Sequence, residues 1–250
     1  MIIQIPPIDL DVDSIISKLS YVSAAITECR TQLAGKIPLI GFSGLPFTLL
    51  AYMIEGESSK VFSKARKQYY KNHEKFMSLV AFLESCIIRY VDEQIKAGAQ
   101  LIQLFESHSD FVSVDMVEDL GNPIIRIAEE IKKQHPDIPI TVYAKNANTS
   151  MIQLLSRSKY VDTFGVDWGL TGQQARSLYG ENFTLQGNLN PSALHSSPDK
   201  LENLTNKMIS SFVTDRENPR YIANLGHGIY PDSPIESVEK FIETIHSFKL

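Results

Sequence analysis

Short apolar runs alternate along this chain with longer segments in which apolar residues recur every three or four positions. Six runs predict strands, because each is nearly continuous in apolar residues and ends at glycine, proline or a polar side chain. They occupy residues 37–42, 99–105, 138–144, 161–166, 183–186 and 220–225. Continuous apolar runs of this length are typical of parallel strands that are buried on both faces of a sheet.

The longer segments have the period of amphipathic helices and lie between the predicted strands. Asp13 or Ser14 can cap the first helix, and Ser233 with Glu236 has capping-box spacing before the last. The last helix is expected to bury one apolar stripe, made of Ile235, Val238, Phe241, Ile242 and Ile245. The predicted helices cover residues 11–35, 48–54, 63–97, 114–133, 149–157, 171–179 and two segments that begin at Ser197-Pro198 and Ser233-Pro234.

The order of the elements predicts an α/β protein with a parallel sheet, because one helix fits between each pair of strands. Residues 220–234 show a strand, a polar tip, a loop and a helix, which is the repeating unit of a TIM-type (β/α) barrel. Such a barrel closes with eight strands. We therefore expect either an open doubly wound sheet or an incomplete barrel of about six strands that lacks the first two. No linker is visible, so one domain over residues 1–250 is expected.

Composition and charge narrow the class of protein. Hydrophobic residues make up 43% of the chain, which is enough for a sizeable core, and the net charge of −5 argues against nucleic-acid or membrane partners. Cys29 and Cys86 both fall in helical patterns and are most simply core thiols. Residues 1–7 lack the features of a signal peptide, and no run reaches membrane-spanning length. We expect a soluble protein of a reducing compartment, the cytoplasm.

The predicted strand tips carry the polar side chains from which a site can be built. Ser107 and His108 follow the second strand, Lys145 follows the third, and His227 follows the last between two glycines. Barrel enzymes place their active sites at this end of the strands. Each residue also has a structural alternative: Ser107 can cap a helix, Lys145 can pair with Asp167 or Glu106, and His227 can be a hydrogen-bonded core histidine.

One helical segment carries a dense set of cations, namely Lys64, Arg66, Lys67, Lys71 and Lys75. A solvated helix face is the simplest interpretation of such a run, and an anion site is the alternative.

Six motifs occur in order along the chain: IPLIGFSGLPFTLLAYMIEG, LIQLFESHSD, YAKNA, GVDWG, TLQGNLNPSAL and YIANLGHGIYPDSP. Together they closely resemble the uroporphyrinogen decarboxylase family, over roughly residues 19–246. The resemblance implies a (β/α)₈ barrel that usually forms a homodimer and uses no metal or organic cofactor. It also implies a porphyrinogen ligand, whose acetate side chains are decarboxylated in porphyrin and heme biosynthesis.

The same resemblance implies roles for individual residues. Tyr52 matches the family's active-site tyrosine and His227 matches its histidine at the tip of the last strand, so both are candidate catalytic residues. Tyr52 has packing under the neighbouring segment as its structural alternative. The candidate substrate-binding residues comprise both of these together with Phe42, Phe105, Ser107, His108 and Lys145.

The resemblance does not extend to two motifs near the start of the family's barrel. The family carries an RQAGR-like arginine motif and an aspartate before the stretch that resembles residues 37–42, whereas here Arg30 is the one arginine in that region. Arginines pair with carboxylates through two parallel hydrogen bonds. Because the loss of one preorganised electrostatic group lowers a rate by about 10²–10³, we expect weak or absent decarboxylation.

Three further classes of function stay open from the sequence. A non-catalytic tetrapyrrole-binding protein would keep the ligand site without turnover. A zinc-dependent methyltransferase of the related barrel group would need a thiolate and histidine site, for which Cys29 and Cys86 are poorly placed on helices. An interaction remnant would expose a sheet edge that attracts a partner strand.

Overall fold

The computed structural model describes residues 11–57 and 59–249, so the prediction about residues 1–7 lies outside the described part. The chain divides into two compact units, Met1–Val161 and Asp162–Leu250. The described residues form six strands, three in each unit. They include no helix that is both long enough and apolar enough to cross a membrane. The prediction of a single domain stays a prediction.

The first unit contains three parallel strands, in which β1 pairs with β2 and β2 pairs with β3. Its strands are β1 (Ile40–Gly44), β2 (Leu101–Glu106) and β3 (Ile140–Ala144). Its helices are α1 (Val12–Ser17), α2 (Ser20–Leu33), α3 (Pro46–Glu55), α4 (Ser63–Lys71), α5 (His73–Lys96), α6 (Val117–Gln134) and α7 (Thr149–Leu155). The predicted strands are therefore present, with starts two or three residues later than expected.

The apolar stripes of two long helices form the core of this unit. On α5 the buried residues recur at helical spacing, and on α6 a similar stripe is buried. The strand residues Ile102, Leu104, Ile140 and Val142 are completely buried. Burying each such side chain contributes roughly 1.5–3 kcal/mol relative to exposure, so these stripes provide the main stabilisation of the sheet.

The second unit also contains three parallel strands, with β4 paired to β5 and β5 paired to β6. Its elements are β4 (Thr163–Gly165), α8 (Gly172–Tyr179), β5 (Thr184–Leu189), α9 (Pro198–Phe212), β6 (Tyr221–Leu225) and α10 (Ile235–Ser247). The buried guanidinium of Arg176 joins them, because it donates hydrogen bonds to the carbonyls of Phe183 and Arg220, each at 2.7 Å. One α8 side chain thereby holds the segments that enter β5 and β6.

Two helices that the sequence predicted as continuous are each divided. The segment 11–35 breaks between α1 and α2, where the amides of Lys18 and Leu19 turn back to the carbonyls of Ile15 and Ile16. Asp11 caps the first helix, so the prediction of Asp13 or Ser14 is wrong. The segment 63–97 breaks at Asn72, whose φ of −139° and ψ of 53° are not helical. Apolar periodicity continues through both breaks, so it could not reveal them.

The predicted start of the last helix is also wrong. The N-cap of α10 is Pro234, which provides no side-chain hydrogen bond, and the buried Ser233 hydroxyl has no hydrogen-bond partner among the residues that the structure describes. Of the predicted stripe, Phe241 is buried while Ile235 and Ile242 are exposed. The capping box fails because the helix begins one residue later than the spacing requires.

A side chain from α5 covers part of the edge of β1 that does not face β2. The Gln94 amide donates to the carbonyl of Phe42 at 2.9 Å and accepts from the amide of Phe42 at 3.0 Å. Gly41 makes room for it, since a Cβ there would lie 3.0 Å from the Gln94 carbonyl oxygen. Gln94 therefore occupies hydrogen-bonding groups of an edge strand that would otherwise be open to another strand.

We expect Gln94→Leu to lower the free energy of unfolding by about 2 kcal/mol, because it leaves the amide and carbonyl of Phe42 without partners. Urea denaturation followed by circular dichroism measures the change. Gln32→Leu is the matched control, since the Gln32 amide bonds the Glu28 carboxylate on the exposed surface of α2. Equal stabilities for the two variants would contradict this account of the β1 edge.

Candidate functional site

The carboxyl end of β2 meets the start of α3 at a buried carboxylate. Glu106 ends β2 and is 1% exposed. Its Oε2 accepts a hydrogen bond at 3.2 Å from the amide of Phe47 in the first turn of α3, and the amide of Leu45 donates to the carbonyl of Phe105 at 2.8 Å. Free amides and the positive end of the helix dipole make this a favourable place for a carboxylate.

Thr48 binds both sides of this junction. Its hydroxyl donates a hydrogen bond to Oε1 of Glu106 and accepts one from the amide of Ser107 at 2.8 Å. The Ser109 hydroxyl donates to the carbonyl of Glu106 at 2.9 Å. The segment after β2 is therefore held in one conformation against α3.

This junction brings two predicted site residues together. Tyr52 lies one helical turn after Thr48, and its hydroxyl is 2.9 Å from Nε2 of His108. The Phe62 ring lies against His108 with ring centres 4.0 Å apart, and it adopts a left-handed φ of 45° to do so. Tyr52 remains 51% exposed, so the pair presents a hydroxyl and an imidazole to solvent.

Burial changes the protonation of both ionisable groups at this junction. Burial raises the pKa of Glu106 from 4.5 to about 7, although the hydrogen bonds from Thr48 and Phe47 act in the opposite direction. Burial also lowers the pKa of His108, a shift that Asp110 opposes and that the charge of Lys145 reinforces. At neutral pH His108 is therefore neutral and offers one ring nitrogen as an acceptor.

A row of aromatic rings crosses the ends of the first three strands. Phe42 lies edge-to-face with Phe105 at 6.3 Å between ring centres, and Phe105 contacts Tyr143 in the same way at 6.2 Å. Phe105 and Tyr143 are register partners across β2 and β3. Phe42 is 60% exposed, so an apolar ring face is available at the end of this row.

Lys145 follows β3, as the sequence predicted. Its amide donates to the carbonyl of Glu106 at 3.0 Å, which places its side chain near the end of β2. Its ammonium is close enough to influence the pKa of His108. The Glu106 carboxylate is instead bonded by α3, so the expected alternative of a Lys145–Glu106 salt bridge receives no support.

His227 lies in the second unit, directly after β6. Its Nδ1 is 3.2 Å from the carbonyl of Gly228. The imidazole is half-buried between Trp168, with ring centres 6.0 Å apart, and Tyr230, at 6.4 Å. It is therefore a partly accessible side chain among aromatic rings, and its role as a ligand-facing residue stays a prediction.

The loop that carries Trp168 is fixed from β5. The Asn188 amide donates to the carbonyls of Asp167 and Leu170, at 2.8 and 2.6 Å. Gly226 must be glycine here, because a Cβ would lie 2.7 Å from the backbone nitrogen of Trp168. A buried asparagine and a glycine thus set the position of the aromatic ring beside His227.

Sequence reasoning singled out Tyr52, Ser107 and His108 but missed the groups that position them. Glu106 and Thr48 are buried polar residues and Phe62 is a buried ring with a left-handed backbone. The spacing of Thr48 and Tyr52, four residues apart on one helix, is the signal that could have indicated a shared face.

Comparison with known proteins identifies the family. The family model described as uroporphyrinogen decarboxylase (URO-D) matches residues 5–248. The chain belongs to this family. It is 37% identical over 241 residues to the uroporphyrinogen decarboxylase of Dictyostelium discoideum and 36% identical over 242 residues to that of Homo sapiens. These alignments cover 96% and 94% of this chain.
The chain spans 64% of the length of each of these two relatives. A third relative, the uroporphyrinogen decarboxylase of Pelodictyon phaeoclathratiforme, is 34% identical over 248 residues, which is 96% of this chain and 70% of the relative. The family membership predicted from the motifs is therefore confirmed.

Solved structures agree on the fold class. A methyltransferase from Methanosarcina mazei matches with a TM-score of 0.76 at 16% identity, over 91% of this chain and 64% of the other. A B12-independent methionine synthase from a Shewanella species matches with a TM-score of 0.62 at 14% identity, over 90% and 64%. At these identities the likeness concerns the fold alone. With the family match it confirms the predicted TIM-type α/β class.

The raised pKa of Glu106 makes stability depend on pH. The native carboxyl keeps its proton up to about pH 7, whereas the unfolded chain loses it near 4.5, so stability falls as pH rises through this window. Glu106→Gln removes this contribution. We therefore expect the variant to gain about 3 kcal/mol relative to the parent between about pH 4 and pH 8.

Urea denaturation at a series of pH values measures this difference. Glu118→Gln is the matched control, because Glu118 is exposed in the first turn of α6. Its profile is expected to run parallel to that of the parent. A Glu106→Gln profile that is also parallel would show that the buried carboxyl does not titrate in this range.

Proposed function

We propose that this chain is a uroporphyrinogen decarboxylase-type protein that binds a porphyrinogen at the carboxyl ends of β1 and β2 and the start of α3. The Tyr52–His108 pair, with its 2.9 Å contact beside an exposed aromatic row, carries the proposal. A porphyrinogen combines apolar pyrrole rings with acidic side chains. The rings suit Phe42 and Phe105, and the carboxylates suit the hydroxyl, the imidazole and Lys145.

The chemistry of the reaction defines what these residues must do. Protonation of a pyrrole carbon lets the acetate release carbon dioxide, as the electrons of the breaking carbon–carbon bond move into the cationic ring. A second proton completes the new methyl group, and the ring then releases the first proton and becomes aromatic again. Tyr52 can donate a hydrogen bond to the reacting acetate, and neutral His108 holds the Tyr52 hydroxyl in place. His227 is a second candidate for proton transfer, since its imidazole is partly accessible beside Trp168.

Catalysis by these residues alone is proposed to be slow. The side chain of Arg30 on α2 packs beside Gly98, before the start of β2. This position is at the opposite end of the strand from Tyr52 and His108. Arg30 therefore does not supply the paired hydrogen bonds that would grip an acetate at the strand tips.

The remaining parts of the proposal follow the family resemblance. They are activity without a metal or organic cofactor, a homodimer and a cytoplasmic location.

Incubation with uroporphyrinogen, followed by separation of the products, tests turnover. We expect coproporphyrinogen to form at least about 100-fold more slowly than with the Dictyostelium discoideum relative in the same assay. Tyr52→Phe is expected to reduce the residual rate further, because it removes the hydroxyl and keeps the ring. Release of coproporphyrinogen at the relative's rate would overturn the proposal of slow catalysis.

A second candidate function is non-catalytic tetrapyrrole binding. The observation in its favour is the group of Trp168, His227 and Tyr230, in which two aromatic rings flank an imidazole. Rings of this kind stack on a flat macrocycle, and an imidazole can bond its carboxylates. No comparable observation favours a methyltransferase, since Cys29 lies on α2 and Cys86 on α5 rather than at strand ends.

A uroporphyrin titration followed by absorbance tests ligand binding. We expect saturable spectral changes at micromolar ligand and an affinity at least about tenfold weaker for His227→Ala, since losing one bond to a charged group costs about 1.5–3 kcal/mol. His246→Ala, on the exposed last turn of α10, is the matched control. Absence of any spectral change with the parent protein would remove both functions.

A further inference from the structure

Helix α4 differs in charge from the rest of the chain. Its nine residues, SKARKQYYK, include four cations and no acidic residue. The whole chain has 24 cationic and 29 acidic residues, so the chain without α4 has 20 against 29 and a net charge of −9. A concentrated positive surface therefore lies on a protein that is otherwise strongly acidic.

Three of these cations share one face of the helix, which we name the α4 lysine face. Lys64, Lys67 and Lys71 are three and four residues apart, and all are exposed, whereas Ala65 and Tyr69 point to the core. Lys64 pairs with Glu57 at 3.2 Å. Within residues 11–57 and 59–249, Lys67 and Lys71 form no ion pair.

Part of this arrangement opposes the electrostatics of a helix. Lys64 lies in the first turn, at the positive end of the helix dipole, whereas Lys71 lies in the last turn, where the dipole favours a cation. Like charges three or four residues apart repel by about 0.2–0.5 kcal/mol per pair. Packing does not require lysine at these exposed positions. An exposed helix face whose charges repel one another, at positions where packing does not require them, is a candidate for a functional surface.

Helix α4 begins beside the candidate site. Phe62 precedes α4, and its ring lies 4.0 Å from His108 and 6.2 Å from Tyr52, measured between ring centres. The Glu55 carboxylate at the end of α3 accepts hydrogen bonds from the amides of Lys64 and Ala65, at 2.8 and 3.2 Å. The helix that carries Tyr52 and the helix that carries the lysines are therefore joined directly.

The length of α4 spreads its positive charges over a distance that a large anion can span. A rise of 1.5 Å per residue places Lys71 about 14 Å along the axis from Phe62. The Debye length is about 8 Å at physiological ionic strength, so successive lysines form an attractive path toward Tyr52 and His108.

We propose that the α4 lysine face is an electrostatic landing surface that selects tetrapyrroles by their number of carboxylates and guides them to the Tyr52–His108 pair. The inference rests on the proposed function and adds to it a preference among ligands. Each decarboxylation removes one negative charge. The eight-carboxylate substrate is therefore attracted more strongly than the four-carboxylate product, and this difference favours exchange of product for substrate.

Stopped-flow measurement of association rates with uroporphyrin, coproporphyrin and mesoporphyrin tests the inference. With the parent protein, the association rate at low salt is expected to be at least tenfold higher for the octacarboxylate than for the dicarboxylate. In Lys67→Glu/Lys71→Glu the uroporphyrin rate is expected to fall at least tenfold, while the mesoporphyrin rate changes little. Added salt is expected to remove most of the difference.

Lys18→Glu/Lys36→Glu is the matched control, because it makes the same change in net charge at exposed positions outside α4. Glutamate is a good helix former, so circular dichroism is expected to show an intact α4. An equal fall in the two variants would show an effect of net charge alone and would overturn the landing surface. Unchanged uroporphyrin rates in both variants would overturn it as well.

A second probe separates failure of this inference from failure of the proposed function. Benzenehexacarboxylate is a compact polyanion without a tetrapyrrole, and amide NMR shifts report where it binds. If uroporphyrin does not bind, the proposed function fails, and shifts confined to α4 that are lost in Lys67→Glu/Lys71→Glu still support the anion surface. Absence of such shifts would then overturn the surface too. If uroporphyrin binds and the α4 variant associates normally, only the landing surface is wrong.

Discussion

The candidate site in the first unit depends on one buried interaction, the hydrogen bonding of the Glu106 carboxyl by the start of α3. Glu106 belongs to β2, whereas Phe47 and Thr48 belong to α3, so the contact joins a strand to the helix three elements earlier in the chain. The same Thr48 hydroxyl accepts from Ser107. Both partners of the Tyr52–His108 pair are thus held by groups that are themselves inaccessible to solvent, as precise positioning of a site requires.

The second unit uses a different group for the same purpose. Asn188 of β5 holds the loop that carries Trp168, and the missing side chain of Gly226 lets that loop approach β6. In both units a residue at a strand end is presented to solvent by a buried polar partner on a neighbouring element. Buried polar groups of this kind stabilise a single conformation only when they are hydrogen-bonded. Removing one of them is therefore expected to change the position of the exposed residue that it holds.

The distribution of charge distinguishes α4 from the rest of the chain. Its overall acidity would repel a polycarboxylate, yet α4 concentrates cations beside the Tyr52–His108 pair. The Glu55 carboxylate secures α4 to α3 through backbone amides, and the side chains of Lys67 and Lys71 are exposed to solvent. Binding chemistry and long-range attraction can therefore reside on consecutive helices, the first providing short-range contacts and the second an attractive field.

The sequence alone determined the α/β class, the existence of all six strands and the family, because apolar period and strand-end motifs are local properties of the chain. It also singled out Tyr52, His108 and His227 as candidates. Only the tertiary structure decided where long helices break, that Ser233 caps nothing, and that Glu106, Thr48 and Gln94 hold other residues in place. These features depend on contacts between residues as much as 59 positions apart, such as Glu106 with Phe47, which no local pattern encodes.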